Sequence, residues 1–236
     1  MKIDASAYHA IPIIDNGEPL VELTPKPGVK FFDRTRFQSD YTKGVWLRAT
    51  AAEKLYAAGA ELFDITDGAF ELYIRDGYRT INCQQRNWAE GLARLVAEIG
   101  DADASLASAG VLYSDPTGFD ENDPSTWPAH TPIHSTGGAA DVFMISNDDR
   151  KPWTYIDGYR DRVAHYATDY FEDKKDLSEI EECVKNNRRL LTRVMKSNGF
   201  VNYPNEAWHF DFGDQMYAFL SGAATAIYGY VKNPES

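Results

Sequence analysis

The chain has 236 residues, 36 Asp and Glu against 24 Lys and Arg, and a formal net charge of −12. A field of that sign repels phosphate, so nucleic acid, anionic membrane surfaces and an anionic cell wall are poor partners. With 43% hydrophobic residues the chain supports a substantial core, and its length predicts one domain over 1–236.

Residues 1–44 are irregular, because Pro12, Pro19, Pro25 and Pro27 interrupt short apolar pieces. Ile11, Ile13, Ile14, Leu20, Val21 and Leu23 call for burial, so this segment is expected to wrap the domain as an arm. Met1 to Asn16 lacks the basic region and apolar run of a signal peptide, and no stretch approaches the roughly 20 apolar residues of a membrane helix. A cytoplasmic location is therefore expected.

Thr50-Ala51-Ala52-Glu53 matches a capping box, which predicts a helix through Leu55, Tyr56, Ala58 and Leu62. Phe70 to Ile74 alternates like a half-buried strand and ends at the turn signal Asp76-Gly77. A second helix is predicted over 82–99, with Trp88, Leu92, Leu95 and Val96 on one side. Residues 100–133 are rich in Asp and Pro and read as a long insertion at the rim of a site. Ala139 to Ile145 reads as a strand, and 146–177 as a second loop-like insertion. Ser178-Glu179-Ile180-Glu181 is another capping box, opening a helix to about Asn198, with Gly199 placed for a left-handed end. Strands are expected around Phe200–Tyr203 and Ala207–Phe212. This order predicts an α+β fold with a central antiparallel sheet and helices packed around it. Cys83 and Cys183 form no Cys-x-x-Cys motif and are expected as reduced thiols, with a single disulfide as the alternative.

Three segments carry chemistry. In His134-Ser135-Thr136-Gly137-Gly138-Ala139-Ala140-Asp141 a Gly-Gly turn can fold the His back so that imidazole and carboxylate meet one point, as zinc ligands do. On its own, the run is better explained as a loop His and a strand-start Asp. In Glu206-Ala207-Trp208-His209, strand alternation sends Trp208, Phe210 and Phe212 to the core and His209 to a cleft. Glu206 follows the turn Pro204-Asn205 and can bend toward that cleft without binding a metal. In Asp76-Gly77-Tyr78-Arg79, a strand and a Gly turn give the guanidinium a rigid support. His9 and His165 are read as structural, and His130 as a rim residue.

Together the three segments resemble the zinc D-alanyl-D-alanine dipeptidases, within the zinc D,D-peptidases related in fold to the hedgehog zinc domain. Asn82-Cys83 with Trp88, Asn186 to Leu191, and Met195 to Phe200 extend the resemblance to roughly residues 45–215. The resemblance implies a hedgehog/D,D-peptidase-like fold and one Zn²⁺ per chain held by His134, Asp141 and His209. It also implies Glu206 as base, Arg79 as the transition-state contact, and Asp157 as the grip on the substrate ammonium. The implied substrate is the D-Ala-D-Ala dipeptide, cleaved to two D-Ala. One departure stands out. Pro132 occupies the place of a family Ser near the substrate, for which Thr131 or Ser135 is the candidate substitute.

Three other readings share parts of this pattern. A D,D-carboxypeptidase or peptidoglycan endopeptidase uses the same zinc site. A non-catalytic zinc-binding module keeps the ligands but has no use for Glu206 and Arg79. A non-haem iron oxygenase needs a His-x-Asp spacing that is absent here.

Overall fold

A computed structural model of the chain describes residues 3, 5–33, 41–149, 151, 154 and 162–235. The arm carries α1 (Ala5–His9), β1 (Leu20–Glu22) and β2 (Val29–Phe31). Then come β3 (Trp46–Arg48), α2 (Ala49–Ile65), β4 (Phe70–Asp76), α3 (Ile81–Ile99), α4 (Ala102–Leu112) and α5 (Trp127–His130). The remainder is β5 (Ala139–Ser146), α6 (Arg162–Tyr166), α7 (Glu179–Ser197), β6 (Val201–Asn202), β7 (His209–Asp211) and α8 (Gln215–Ser221).

The α+β architecture has at its centre a five-stranded sheet in the order β2-β4-β5-β7-β6. Its pairs are antiparallel except at one edge, where β2 runs parallel to β4. The sequence predicts a wholly antiparallel sheet, because the Pro-broken arm shows no strand pattern from which β2 could be read. A parallel neighbour requires a long crossover, and the segment containing α2 supplies one. β1 and β3 form a separate antiparallel pair.

Alternation along the strands sorts the two faces. Leu72, Ile74, Ala140, Val142, Met144 and Phe210 point to the core, where Leu55, Ala58 and Leu62 of α2 and Leu191, Val194 and Met195 of α7 cover them. Asp141, Phe143, His209 and Asp211 therefore share the opposite face. The register sets Asp141 directly across from His209.

The capping box of α7 forms as predicted: Glu181 N–H donates to Ser178 Oγ at 3.3 Å, and Ser178 N–H to Glu181 Oε2 at 2.8 Å. Gly199, φ +93°, follows the helix. The box expected at Thr50 does not form. There the N–H and hydroxyl of Thr50 both donate to the Glu18 carboxylate at 2.9 Å, so a charged residue of the arm caps α2 from outside. Glu18 also accepts from the Tyr228 hydroxyl at 2.8 Å.

The arm lies against the C-terminal segment. Ile14 N–H donates to Ala226 O at 2.8 Å, Asn16 N–H to Ile227 O at 3.0 Å, and Ala226 N–H to Pro12 O at 2.9 Å. Leu23 is buried and Val21 packs on the core, but Ile14 is 66% exposed. Its backbone is what is engaged, which leaves the side chain outward.

Residues 100–133 are not the loop expected. Asp101 caps α4 by accepting from Ala104 N–H at 2.8 Å, and the segment also contains α5. The alanine-rich ADASLASAGVL has helix propensity but no apolar stripe, so periodicity could not reveal it. α3 buries Cys83, Gln84, Gly91 and Leu95, whereas Val96 faces solvent. Both cysteines are free thiols. Among the described residues no helix is long and apolar enough to cross a membrane.

Candidate metal centre and its cavity

His134 lies in a tight turn, Ile133–Thr136, that ends at Gly137 in the left-handed conformation, φ +74°. A residue with a side chain is disfavoured there, so this glycine is what lets the chain turn from His134 into β5. His134 Nδ1 lies 2.7 Å from the carbonyl oxygen of Gly77. With Nδ1–H donating to that carbonyl, the Nε2 lone pair is left to face Asp141 Oδ1, 3.5 Å away. The Asp76–Arg79 segment and the His134 turn are further joined by Arg79 N–H to His134 O at 3.2 Å and Ser135 Oγ to Arg79 O at 2.9 Å.

His209 reaches the same point from β7. Its Nδ1 is 3.2 Å from Asp141 Oδ1, and its Nε2 is 2.8 Å from Asp211 Oδ1. Asp211 is two residues along the strand, hence on the same face, and is fully buried. The two imidazoles meet edge to face, with centroids 4.8 Å apart. One ligand atom from each of His134, Asp141 and His209 lies within 4.8 Å of the others, and all three residues are buried.

The donor set fits a tetrahedral divalent ion. Zinc bonds of about 2.0–2.2 Å place neighbouring ligand atoms roughly 3.3–3.5 Å apart. The two His–Asp separations, 3.2 and 3.5 Å, fall close to that spacing. Each imidazole has its outer nitrogen held by an acceptor, which fixes the ring and the tautomer.

Electrostatics divide the three groups. Burial, with help from Arg79, holds His134 below the ordinary imidazole range, so it is neutral and ready to coordinate. Burial opposes ionisation of Asp141, but its interactions with His134, Arg79 and His209 outweigh it and keep this carboxyl well below its usual range. Burial would also lower His209, yet Asp211 and Asp141 override it and raise this imidazole well above its usual value. A proton on His209 is thus what a metal must displace.

Glu206 Oε2 stands 3.8 Å from His209 Nδ1, beside the three ligand atoms but outside their set. Burial pushes its carboxyl up to about 8, with Asp141 adding to the rise and His209 and Arg79 opposing it. Arg79 donates from Nε to Asp76 Oδ2 at 2.7 Å and from Nη2 to Asp141 Oδ2 at 2.5 Å. These two carboxylates raise its pKa against the opposing effect of burial, so it is permanently charged.

Arg79, Asp141 and Glu206 line a cavity of about 410 Å³, with Phe143, Tyr166 and Trp208 on one wall. Trp208 was expected in the core. It precedes the regular part of β7, so strand alternation does not govern it, and it stacks on Phe143 at a centroid distance of 5.9 Å. Phe210 and Phe212 are buried as expected.

The remaining candidates separate clearly. Asp157 lies outside the described residues. Thr131 and Ser135 are fully buried, and their hydroxyls donate to the carbonyls of Trp127 and Arg79, so neither lines the cavity as a substitute at the place of Pro132. His130 is not among the residues lining the cavity; its ring sits against Gly118. His9 pairs with Gln215 at 3.2 Å, and His165 is buried among aromatic rings, in keeping with structural roles. Sequence reasoning missed Asp211, although its two-residue offset from His209 on a strand was a usable signal. It also missed Asp76 as the partner of Arg79, three residues away.

Residues 114–221 match the family model described as D-ala-D-ala dipeptidase. A D-alanyl-D-alanine dipeptidase of Synechocystis sp. is 29% identical over 235 residues, covering 90% of this chain and 89% of the relative. Among solved structures, VanYB in complex with D-Alanine-D-Alanine is 17% identical, covers 79% of this chain and 86% of its own, and has a TM-score of 0.44. The LdcB LD-carboxypeptidase is 17% identical over 90% of this chain and 77% of its own, at a TM-score of 0.38. The resemblance carried by the three motifs is thus the one found along most of the chain.

Proposed function

We infer that this chain, whose residues 114–221 match the D-ala-D-ala dipeptidase family model, is a metallopeptidase that hydrolyses D-Ala-D-Ala to two D-Ala. The observation that carries the reading is the buried His134–Asp141–His209 set with Glu206 beside it on the wall of one cavity. His134 Nε2, Asp141 Oδ1 and His209 Nδ1 are the atoms proposed to hold one Zn²⁺. When bound, the ion supplies Lewis acidity toward a carbonyl and acidifies water toward neutral pH.

The chain's own groups do the rest. Glu206 takes the proton of the attacking water on a carboxylate oxygen and delivers it to the leaving amine nitrogen. Ionised Glu206 is required for the first step, and the positive charge of a bound divalent ion favours it against the upward push of burial. Asp76 and Asp141 engage two of the five N–H donors of Arg79, and those remaining are proposed to stabilise the oxyanion of the tetrahedral intermediate. Asp211 and the Gly77 carbonyl keep the two imidazoles oriented. Asp157 is proposed as the contact to the substrate ammonium. The reading takes 1–236 as one peptidase domain, and a cytoplasmic location goes with it, which cell fractionation tests.

The same residues would serve a D,D-carboxypeptidase acting on acylated peptides, and the length of cavity reaching along α3 favours keeping that second reading. Incubating the purified protein with D-Ala-D-Ala and L-Ala-L-Ala, with and without a chelator, tests both. The expected result is chelator-sensitive release of D-Ala from the D,D form alone. Equal cleavage of the L,L form removes the stereospecific claim. Faster cleavage of acyl-D-Ala-D-Ala selects the carboxypeptidase, and no hydrolysis by the zinc-loaded protein leaves only a zinc-binding module.

A further inference from the structure

The 410 Å³ cavity runs past the metal-binding face of the sheet to a second wall built by β4, α3 and the end of α4. β4 contributes Arg75 and Asp76 together. A regular strand sends neighbouring residues to opposite faces, but the register between β4 and β5 shifts between Ile74 and Asp76. This irregularity of the β-bulge kind leaves Arg75 without a cross-strand partner and lets it line the same cavity as Asp76. α3 contributes Asn87, Glu90 and Arg94, whose spacing puts them on one helix face.

The charges on this wall do not cancel. Asp76 is paired with Arg79, and Glu90 lies 3.5 Å from Arg86. Arg75 and Arg94 form no ion pair or hydrogen bond among the described residues, although the chain as a whole carries −12. Tyr113 lines this cavity with them and also lines the smaller one beside His134 and His209. Its ring lies so close to α3 that a Cβ on Gly91 would come within 2.4 Å of it, so a glycine is required beneath it. Burial raises the Tyr113 phenol; Arg94 and Arg75 oppose the rise, and Glu206 and Glu98 add to it. The phenol thus lines one cavity with the proposed base and the two cations, neither of which is ion-paired among the described residues.

We propose that Arg75 and Arg94, with Tyr113, form an anion subsite that holds a carboxylate of the substrate away from the scissile bond. This deepens the reading of the site as that of a D,D-peptidase and rests on it. The carboxylate comes from one of two sources: the free C-terminus of the dipeptide, or an acidic residue of a longer D,D-peptide. Either suits two guanidinium groups, which bind carboxylates through charge-assisted hydrogen bonds. The subsite also accounts for how a carboxylate is recognised although Pro132 offers no hydroxyl and those of Thr131 and Ser135 are turned to backbone carbonyls.

The test is steady-state kinetics of the zinc-loaded wild type, Arg75→Gln, Arg94→Gln and the double variant. The substrates are D-Ala-D-Ala, its C-terminal amide, and acyl-D-Ala-D-Ala with and without an acidic residue in the acyl part. The expected result is a KM raised about 10- to 100-fold in the double variant with kcat little changed. That rise must vanish for whichever substrate lacks the recognised carboxylate. Loss of the effect with the dipeptide amide assigns the C-terminus, and an effect confined to the acidic acyl peptide assigns the longer substrate. An unchanged KM on every substrate overturns the subsite, as does an equal loss on charged and uncharged substrates. Calorimetric titration of the Glu206→Ala protein with D-Ala-D-Ala reads binding without turnover. If the wild type neither binds nor cleaves any D,D-peptide, the parent reading falls and the subsite with it. If it cleaves normally while the variants do not differ, only the subsite falls.

Discussion

Arg79 Nη2 lies 2.5 Å from Oδ2 of Asp141, while Oδ1 of the same carboxylate faces His209 and His134 at 3.2 and 3.5 Å. The two oxygens therefore have separate partners, one cationic side chain and one ion-binding point. A carboxylate so arranged offers a divalent ion a single oxygen, with part of its charge already balanced. Arg79 and the proposed metal are coupled through this one group.

Replacing Arg79 with Ala should lower kcat by about 10²- to 10³-fold, the usual cost of removing one oxyanion donor. Zinc content at neutral pH should stay near that of the wild type, because the three ligand atoms remain. Metal analysis beside the kinetics checks this. Loss of zinc in proportion to activity would show that Arg79 acts only by holding Asp141.

Glu206→Gln keeps the shape of the side chain and removes its capacity to take a proton. Turnover should fall by about 10²- to 10⁴-fold with full zinc content. Near-normal turnover would remove Glu206 from the role of base.

Asp211→Asn should weaken zinc binding by about 10- to 100-fold, because the group that orients His209 through Nε2 is altered. Competition against a chelator of known affinity measures it. The metal-free His209 imidazole is raised well above its ordinary value by Asp211 and Asp141, so below that raised value it holds a proton that zinc must displace. Zinc affinity of the wild type should therefore fall roughly tenfold per pH unit in that range and level off above it. Calorimetry in buffers of different ionisation enthalpy reads the released proton directly.

Glu18 gives a pH dependence of stability remote from the metal centre. Burial alone would raise its carboxyl, but the hydrogen bonds from Thr50, Tyr228 and Asn16 outweigh it and lower the pKa below the ordinary value. A group lowered in the folded state stabilises above its unfolded pKa of about 4.3, and that contribution disappears as pH falls through the folded value. The Tm of Glu18→Gln should lie below wild type near neutrality, and the gap should close as acid protonates Glu18. A gap that stays constant with pH would assign the effect to packing.

The parts that were legible in the sequence have local causes. The α7 capping box, the turn glycine after it and the alternation of β4 all depend on residues a few positions apart, and all appear. The convergence of His134, Asp141 and His209 was legible in two motifs, because a His–Gly–Gly turn and a strand His each determine where a side chain points. What was not legible depends on partners distant in the chain. Thr50 is capped by Glu18 rather than by Glu53, and β2 joins the sheet through pairing with β4. The α4 helix was hidden for the opposite reason: its alanines form a helix without marking a face. Asp157, the least motif-supported of the site residues, lies outside the described residues.

The pairing of the arm with residues 226–227 has a consequence in time. During synthesis Pro12, Ile14 and Asn16 emerge long before their backbone partners at residues 226–227. The metal centre has the same character, since Gly77, His134, Asp141 and His209 come from separate stretches of chain. Contacts of such long range form slowly and only after much of the loop-closure entropy has been overcome. The nascent chain thus lacks the full set of proposed zinc ligands until His209 has left the ribosome, so metal capture is expected to follow the synthesis of β4 and β5 rather than to guide it.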